Sequence, residues 1–197
     1  MTFKLGLTGS IGMGKSTTAK MFAEAGCDVW DADAAVHRLY AKNGAAVAPM
    51  EAVFPSVIRD GAVSRDALRE MISADPTALK TIETIVHPLV GADRAAFISE
   101  SNKAILVFDI PLLFETGGDA QMDAVACVHV DPATQRARVL ERGTMSEAQF
   151  EQILAKQMPI EEKRARSDYE IETDTLENAK AQVLAVIADI KEKLADA

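Results

Sequence analysis

The sequence lacks any apolar run that could cross a membrane, because every hydrophobic stretch stays well short of the roughly 18 residues that a transmembrane helix needs. It has only two cysteines, Cys27 and Cys127, and both lie in apolar, strand-like surroundings. Two such thiols argue against a disulfide framework and indicate reduced core residues of a cytosolic protein. The first residues already form an apolar strand pattern, so we expect no signal peptide and a cytoplasmic location.

Positive charge is also scarce. The chain has 21 Lys and Arg residues against 30 Asp and Glu residues, which gives a formal net charge of −9. A surface of this sign repels nucleic acids and anionic lipid headgroups, so we expect neither nucleic acid nor membrane as a partner. Any site for a phosphorylated ligand must therefore be a local cluster of lysines and arginines within an acidic surface.

Five apolar segments have the character of buried strands, and helical patterns separate them. Several are continuous apolar runs without clean alternation, as is typical of parallel strands that are covered on both faces. The sequence therefore predicts an α/β fold. The predicted strands are residues 3–8, 27–30, 104–109, 124–130 and 169–171.

Two intervals between the strands are too long for a single crossover helix. Residues 34–102 contain helix-like pieces at 64–73 and 76–86, and we expect the second piece to end at His87 and Pro88. Residues 142–167 are dense in charge. Insertions of this kind often become substrate-binding and lid elements. The predicted division is a core of residues 1–36, 103–141 and 167–197, a helical substrate-binding insertion of residues 37–102, and a lid of residues 142–166.

Capping residues signal the starts of two further helices. Asp131 followed by Pro132 predicts an N-cap and a first helical position. Thr144 and Glu147 have the spacing of a capping box, which predicts that a helix starts there and runs toward Gln157.

The strongest motif is Gly9-Ser10-Ile11-Gly12-Met13-Gly14-Lys15-Ser16, which follows the first strand and precedes a helical pattern. It fits the phosphate-binding pattern G-x-x-x-x-G-K-[ST] at every fixed position. The glycines let several N–H groups converge on phosphate oxygens, and the helix that follows directs its positive end at the same anion. We expect Lys15 to reach the β- and γ-phosphates and the Ser16 hydroxyl to ligate Mg²⁺. The motif predicts nucleotide binding without separating kinases from switches or motors.

Carboxylates follow two of the predicted strands. Asp31-Ala32-Asp33 comes directly after the second strand, at the end where ligands bind in open α/β sheets. A carboxylate there can accept a proton from an attacking hydroxyl, or it can cap the next helix, and with two carboxylates both can hold. The strand ending in Asp109 resembles those that support Mg²⁺ in many phosphate-loop proteins. Because apolar strands often end in Asp, we leave Asp109 out of the metal site.

The local positive charge that a phosphate site needs occurs in the second half of the chain. Arg138 and Arg142 are four residues apart on one predicted helix, and like charges at that spacing repel unless an anion lies between them. The alternative is that Glu141 pairs with Arg138 at the surface. Arg142 precedes Gly143, where it could swing onto a transferring phosphoryl group. Other basic residues extend the cluster: Lys156, Lys163, Arg164 and Arg166.

Three classes of phosphate-loop protein are alternatives. A guanine-nucleotide switch would carry D-x-x-G and N-K-x-D, but the chain has no D-x-x-G, and its Asn102-Lys103-Ala104-Ile105 has Ile where Asp is required. A motor would need more chain. A small-molecule kinase fits the length, the two insertions and the arginines best, and a nucleoside monophosphate kinase shares the same core and lid.

A set of motifs, in order from Leu5 to about Val183, resembles the dephospho-CoA kinase family. The resemblance implies transfer of the γ-phosphate of ATP to the ribose 3′-hydroxyl of dephospho-CoA, the last step of coenzyme A synthesis. It also implies a five-stranded parallel core with a helical substrate domain and a lid. The motifs are Thr8-Gly9-Ser10-Ile11-Gly12-Met13-Gly14-Lys15-Ser16-Thr17, Asp31-Ala32-Asp33, Ser64-Arg65-Asp66-Ala67-Leu68, His87-Pro88, Pro111-Leu112-Leu113-Phe114-Glu115 and Gln157-Met158-Pro159.

The resemblance also implies roles for individual residues. Asp33 is expected to be the general base, with Lys15 and Arg142 as the other catalytic residues. ATP and dephospho-CoA are the expected partners, with Mg²⁺ on Ser16, and we expect a monomer or a weak homo-oligomer. Where relatives commonly have an Asn-Gly-type turn after the last strand, this chain has Thr173-Asp174, which leaves the contacts there open. The expected ATP-binding residues are Gly12, Met13, Gly14, Lys15, Ser16 and Thr17, and the expected substrate-binding residues are Asp33, Arg65, His87 and Leu112.

Overall fold

The computed structural model describes residues 2–196. Strands in this range are β1 Phe3–Gly9, β2 Asp28–Asp31, β3 Ile58–Arg59, β4 Ala62–Val63, β5 Ile105–Asp109, β6 Ala124–His129 and β7 Tyr169–Glu172. Helices are α1 Lys15–Glu24, α2 Ala32–Tyr40, α3 Val47–Val53, α4 Arg65–Ala74, α5 Ala78–Glu100, α6 Pro132–Glu141, α7 Glu147–Leu154, α8 Ile160–Ala165 and α9 Leu176–Ala195.

Two compact units divide the chain: one runs up to Trp30 and resumes at Asn102, and the other is Asp31–Ser101. The first unit is built on a five-stranded parallel sheet with the strand order β2-β5-β1-β6-β7. Strand β1 is central and pairs along its length with β5 on one side and β6 on the other. The predicted α/β class is therefore confirmed, and each of the five predicted strands differs from the observed one by no more than a residue at either end.

Helices α1 and α9 cover one face of this sheet. The α9 stripe of Ala179, Val183, Val186, Ile187 and Ile190 is buried, so one face of the last helix packs into the core of this unit. Burial of each larger side chain contributes roughly 1.5–3 kcal/mol. Leu176 begins the stripe in the sequence but is exposed, because it lies at the first helical position, beyond the end of the core.

The two cysteines belong to this apolar core. Cys27 and Cys127 are buried free thiols, which confirms that they are core residues. Burial raises the pKa of the Cys127 thiol to about 11, so the thiol stays protonated at neutral pH.

The second unit consists of helices α2 to α5 and the hairpin of β3 and β4 around its own core. Helix α5 runs without interruption from Ala78 to Glu100, so the expectation that it ends at His87 and Pro88 is wrong. Pro88 lies on the exposed side, and Thr84, whose carbonyl loses its partner, is exposed and open to water. The apolar positions Ile82, Val86, Leu89 and Val90 continue the buried stripe past the proline.

The capping predictions had mixed outcomes. Asp131 accepts a hydrogen bond from the Thr134 N–H at 2.9 Å with Pro132 at the first position of α6, as predicted. The predicted capping box of Thr144 and Glu147 is wrong, because Ser146 is the N-cap of α7 and forms the reciprocal pair with Gln149. Starting α7 there places Phe150 on the buried face.

None of the helices between residues 2 and 196 is long and apolar enough to cross a membrane.

Candidate active site

The glycine-rich segment forms a loop between β1 and α1, at the carboxyl end of the central strand. Gly12 and Gly14 adopt left-handed backbone conformations with φ of 78° and 85°, and the Met13 N–H donates to the Ser10 carbonyl at 3.2 Å. Gly14 is the N-cap of α1, so the first amides of the helix face the loop. Because the first N–H groups of a helix have no partner within it, this arrangement is suited to bind an anion.

The loop packs closely against neighbouring residues at both of these glycines. A Cβ at Gly12 would lie 2.4 Å from Val139 Cγ2 and 3.1 Å from the Gln135 carbonyl oxygen of α6. A Cβ at Gly14 would lie 3.1 Å from the Thr173 hydroxyl oxygen. Glycine is therefore required at both positions by backbone conformation and by space.

Lys15 is the first residue of α1, and its ammonium group forms an ion pair with the carboxylate of Asp109 at the end of β5. Asp109 is only 2% exposed and Lys15 is 15% exposed. Sequence reasoning left Asp109 out of the site, although an apolar strand that ends in Asp was the available signal. The parallel pairing of β1 and β5 brings the two residues together, since both strands end at the same edge of the sheet.

Oxygen atoms that could bind Mg²⁺ lie beside Lys15. Ser16 is exposed in the first turn of α1, and Asp109 supplies a carboxylate near Lys15. Hydroxyl and carboxylate oxygens suit Mg²⁺, which usually keeps several waters and takes further ligands from substrate phosphates. Within residues 2–196 there is no cluster of three or more His, Cys, Asp or Glu residues that could form an all-protein metal cage. The donor set therefore fits a nucleotide-bound Mg²⁺.

A cavity of about 180 Å³ opens beside the loop. Its wall combines the start of α1, the end of α6 and the segment that joins β7 to α9. The mixture of aliphatic side chains, hydroxyls and guanidinium groups suits a flat, partly polar ring. The lining residues are Gly14, Thr17, Thr18, Met21, Arg138, Arg142, Thr173, Thr175, Leu176 and Ala179.

Arg138 is anchored at this cavity by Thr173. Its guanidinium donates to the Thr173 carbonyl at 2.6 Å and to the Thr173 hydroxyl at 3.1 Å, so the alternative pairing with Glu141 is wrong. The Thr173 hydroxyl in turn donates to the Met13 carbonyl at 2.9 Å. Thr173, which the sequence left without a role, thus connects Arg138 to the phosphate loop.

Arg142 lies at the end of α6 and remains exposed. The following Gly143 has a φ of 62°, the left-handed conformation that commonly terminates a helix. No ion pair between Arg142 and a carboxylate occurs in the part of the chain that the structure describes. The guanidinium therefore remains available to a ligand in the cavity it lines.

Three other basic residues of the predicted cluster are neutralised by carboxylates. Lys163 is fully buried and pairs with Glu115 at 2.9 Å. Arg164 pairs with Glu170 at 2.6 Å, and Arg166 pairs with Asp119 at 3.2 Å. These three residues therefore extend the basic cluster in the sequence but are paired within the protein, while Lys156 stays exposed.

The turn Pro111-Leu112-Leu113-Phe114-Glu115 follows β5 and divides between core and surface. Leu113 and Phe114 are buried, whereas Leu112 is 43% exposed. The Pro111 carbonyl accepts from the Thr8 hydroxyl at 3.1 Å and from the Lys163 ammonium at 2.9 Å. Burial alone would raise the pKa of the Glu115 carboxyl, but the Lys163 ammonium and the Met158 N–H hold it below its usual value.

In the second unit, the two carboxylates after β2 have different environments. Asp31 is the N-cap of α2 and accepts from the Ala34 N–H at 2.9 Å. Asp33 lies in the first turn of α2 and is exposed. The capping function expected of one of the two residues therefore belongs to Asp31.

The predicted substrate residues of this unit lie on two further helices. Arg65 is the first residue of α4 and is exposed, and its positive charge opposes the increase in the pKa of Tyr40 that burial causes. His87 is exposed on α5. Both side chains are thus accessible to a ligand.

Comparison with known proteins gives a consistent result over nearly the whole chain. The model of the family described as CoaE, dephospho-CoA kinase, matches residues 3–179. A dephospho-CoA kinase of Ruegeria pomeroyi is 66% identical over 191 residues, which cover 97% of this chain and 97% of that protein. One from Cereibacter sphaeroides is 62% identical over 190 residues, 96% of each.

Among solved structures, the dephospho-CoA kinase from Campylobacter jejuni superposes with a TM-score of 0.72 at 25% identity. The match covers 98% of this chain and 99% of that one.

Proposed function

The chain belongs to the dephospho-CoA kinase family and catalyses the last step of coenzyme A biosynthesis, and we propose that Asp33, Lys15 and Arg142 are its catalytic residues. The reaction transfers the γ-phosphate of ATP to the ribose 3′-hydroxyl of dephospho-CoA. One observation supports this assignment most directly: at the end of β2, Asp31 caps α2 and Asp33 does not.

On the ATP side, the proposed ligands of the phosphates are the backbone amides from Gly12 to Thr17. They surround the amino end of α1, where the helix dipole favours negative charge. Met13 contributes only its backbone, since its side chain is buried in the core. We propose that Lys15 exchanges the Asp109 carboxylate for the β- and γ-phosphates when ATP binds. Asp109 thus holds the ammonium group near the place where it is needed.

The Ser16 hydroxyl is the proposed protein ligand of Mg²⁺. When bound, Mg²⁺ would supply positive charge that neutralises the negative charge developing on the phosphate oxygens during transfer.

On the acceptor side, Asp33 is proposed to take the proton of the ribose 3′-hydroxyl. The Asp33 side chain is exposed, so its oxygens can accept a hydrogen bond from the hydroxyl and take that proton as the ribose oxygen attacks phosphorus. Arg65 and His87 are proposed to contact dephospho-CoA, because both present exposed polar groups suited to phosphate oxygens. The exposed Leu112 offers an apolar contact.

The cavity beside the loop is the proposed site of the adenosine part of ATP. Residues 142–166 are proposed as a lid, residues 37–102 as the substrate-binding insertion, and the remaining residues as the nucleotide-binding core. Arg142, which is exposed at the first residue of the lid, would then reach the transferring phosphoryl group.

The test of the base is the pair Asp33→Asn and Asp31→Asn. We expect Asp33→Asn to lower kcat by about 10²–10⁴-fold while the Kd for ATP stays near that of the wild type, because only the proton acceptor is lost. Asp31→Asn removes the same charge two residues away and keeps an oxygen that can cap α2, so its kcat should stay within a few-fold of wild type. Loss of ATP affinity with normal turnover of the bound complex would contradict the role given to Asp33.

The test of the acceptor is ATP consumption with dephospho-CoA, AMP, CMP and shikimate measured side by side. We expect a kcat/KM for dephospho-CoA that exceeds the others by several orders of magnitude. A preference for either nucleoside monophosphate would instead support the alternative kinase class.

We further propose that the protein works in the cytoplasm, as a monomer or a weak homo-oligomer. The buried, unpaired thiols of Cys27 and Cys127 support a reducing compartment. Light scattering during gel filtration between 1 and 100 μM protein measures the oligomeric state, and a stable dimer at 1 μM would contradict this proposal.

A further inference from the structure

The peptide groups of Ile11 are held by two glutamine side chains from distant parts of the chain. The Ile11 N–H donates to Gln157 Oε1 at 3.1 Å. The Ile11 carbonyl accepts from Gln135 Nε2 at 2.7 Å. One amide side chain thus accepts from the backbone and the other donates to it, so both polar groups of this residue have a partner.

Ile11 stands directly before Gly12, where the proposed phosphate-binding amides begin. A single bond rotation at Ile11 would turn the Gly12 N–H away from the ligand and shift those that follow. With its N–H and carbonyl both engaged by protein groups, Ile11 is fixed in one orientation.

Both glutamines are themselves held in place. Gln135 is only 3% exposed, on the helix whose Val139 and Gln135 carbonyl contact Gly12. Gln157 follows α7, and the N–H of the next residue, Met158, donates to the Glu115 carboxylate at 2.9 Å. The pair therefore connects the loop to α6 through Gln135 and to the segment after α7 through Gln157.

We propose that Gln135 and Gln157 are positioning residues that orient the phosphate loop for the nucleotide, without touching it themselves. The proposal rests on the proposed function, because it assumes that ATP binds at this loop. Its consequence is selective: the loss of either glutamine weakens nucleotide binding and leaves the affinity for the acceptor largely intact.

The test uses Gln135→Met, Gln157→Met and the double variant, since methionine keeps the length of the side chain without its hydrogen bonds. Gln152→Met is the matched control, because Gln152 is exposed on α7. We expect each single variant to raise the Kd and KM for ATP roughly fivefold, the effect of one lost hydrogen bond. The double variant should raise them less than 25-fold, because both bonds hold the same residue. The KM for dephospho-CoA should match that of the Gln152→Met control.

Two results would overturn the proposal. One is wild-type affinity for ATP in both single variants. The other is an equal decrease in the affinity for both substrates together with a lower Tm, which marks a merely structural role. Gln157→Met keeps the test decisive if Gln135→Met does not fold, because Gln157 is only half-buried. The variant Lys15→Ala distinguishes failure of this proposal from failure of the proposed function. If Lys15→Ala binds ATP as tightly as the wild type, the loop is not the nucleotide site, and the proposed function itself is wrong.

Discussion

Replacement of the buried Lys163 by methionine gives the sharpest test of how the turn after β5 is stabilised. The Lys163 ammonium is fully buried, pairs with Glu115 at 2.9 Å and donates to the Pro111 carbonyl at 2.9 Å. Methionine fills a similar volume but removes the charge and both interactions. Glu115, whose side chain is 18% exposed, then keeps its negative charge without a cationic partner and retains the hydrogen bond from the Met158 N–H.

The expected loss follows from the burial of the two partners. Removing one member of a buried ion pair typically destabilises a protein by about 3–5 kcal/mol. The Glu115 side chain is 18% exposed and retains one hydrogen bond, so we expect about 2–4 kcal/mol. For a chain of this length that corresponds to a decrease in Tm of roughly 5–15 °C.

The dependence on pH distinguishes a lost charge partner from a packing defect. In the wild type, the pKa of Glu115 lies below its ordinary value of 4.5, so its contribution to stability is present above pH 4.5 and is lost as the pH falls through the lower, folded-state pKa. In Lys163→Met, burial without the ammonium raises the Glu115 pKa above 4.5. The deficit of the variant should then be largest at pH 7 and shrink as the pH falls toward 4.5.

The assay is urea unfolding at pH 7 and pH 5 of four proteins: wild type, Lys163→Met, Lys163→Met with Glu115→Gln, and the exposed-site control Lys156→Met. The double variant also removes the unpaired charge of Glu115, so it should recover most of the lost free energy of unfolding. A deficit below 1 kcal/mol at pH 7, or one that does not change with pH, would refute the reasoning.

Two further predictions concern the phosphate loop. Gly12→Ala forces a Cβ to within 2.4 Å of Val139 Cγ2 at a φ of 78°, so we expect ATP affinity to fall at least tenfold in calorimetric titration. The control is Gly143→Ala, where φ is 62° and a Cβ would have no atom within 4 Å. This variant has the backbone strain without the clash, so it should bind ATP almost normally. Equal losses of ATP affinity in both variants would contradict the steric argument. Thr173→Val removes the hydroxyl that donates to the Met13 carbonyl, so it should lower the free energy of unfolding by about 1–3 kcal/mol in urea titration. Thr173→Ser keeps the hydroxyl and should restore most of that loss, whereas a Val variant as stable as wild type would show that the bond is dispensable.

The parts of the fold that the sequence predicts well are those determined by local pattern. Strands β5 and β6 are nearly continuous apolar runs, and such runs are buried wherever the sheet is covered on both faces. The phosphate loop is equally local, because its glycines and the following helix determine its shape. The hairpin of β3 and β4 could also have been predicted, because Asp-Gly is a typical hairpin turn sequence. Asp60-Gly61 forms that turn, with positive φ at both residues.

The parts that could not be predicted depend on partners far away in the chain. Nothing in the sequence indicates that Lys163 is buried, and only the packing of α8 beside the turn after β5 buries it against Glu115. Arg138 similarly depends on Thr173, which lies 35 residues away. Pro88 is tolerated within α5 because it lies on the solvent-facing side of the helix. The presence of a proline in the sequence does not by itself show which side of a helix it occupies.

The order of the strands has a consequence for behaviour at high protein concentration. The outermost strands of the main sheet, β2 and β7, are each only four residues long, and both carry carboxylates, with Asp28 and Asp31 in one and Glu170 and Glu172 in the other. A second molecule that added a strand at either border would have to desolvate these charged side chains. The short, acidic borders of the sheet therefore protect the native protein from edge-to-edge aggregation, while its longest apolar strands stay in the interior.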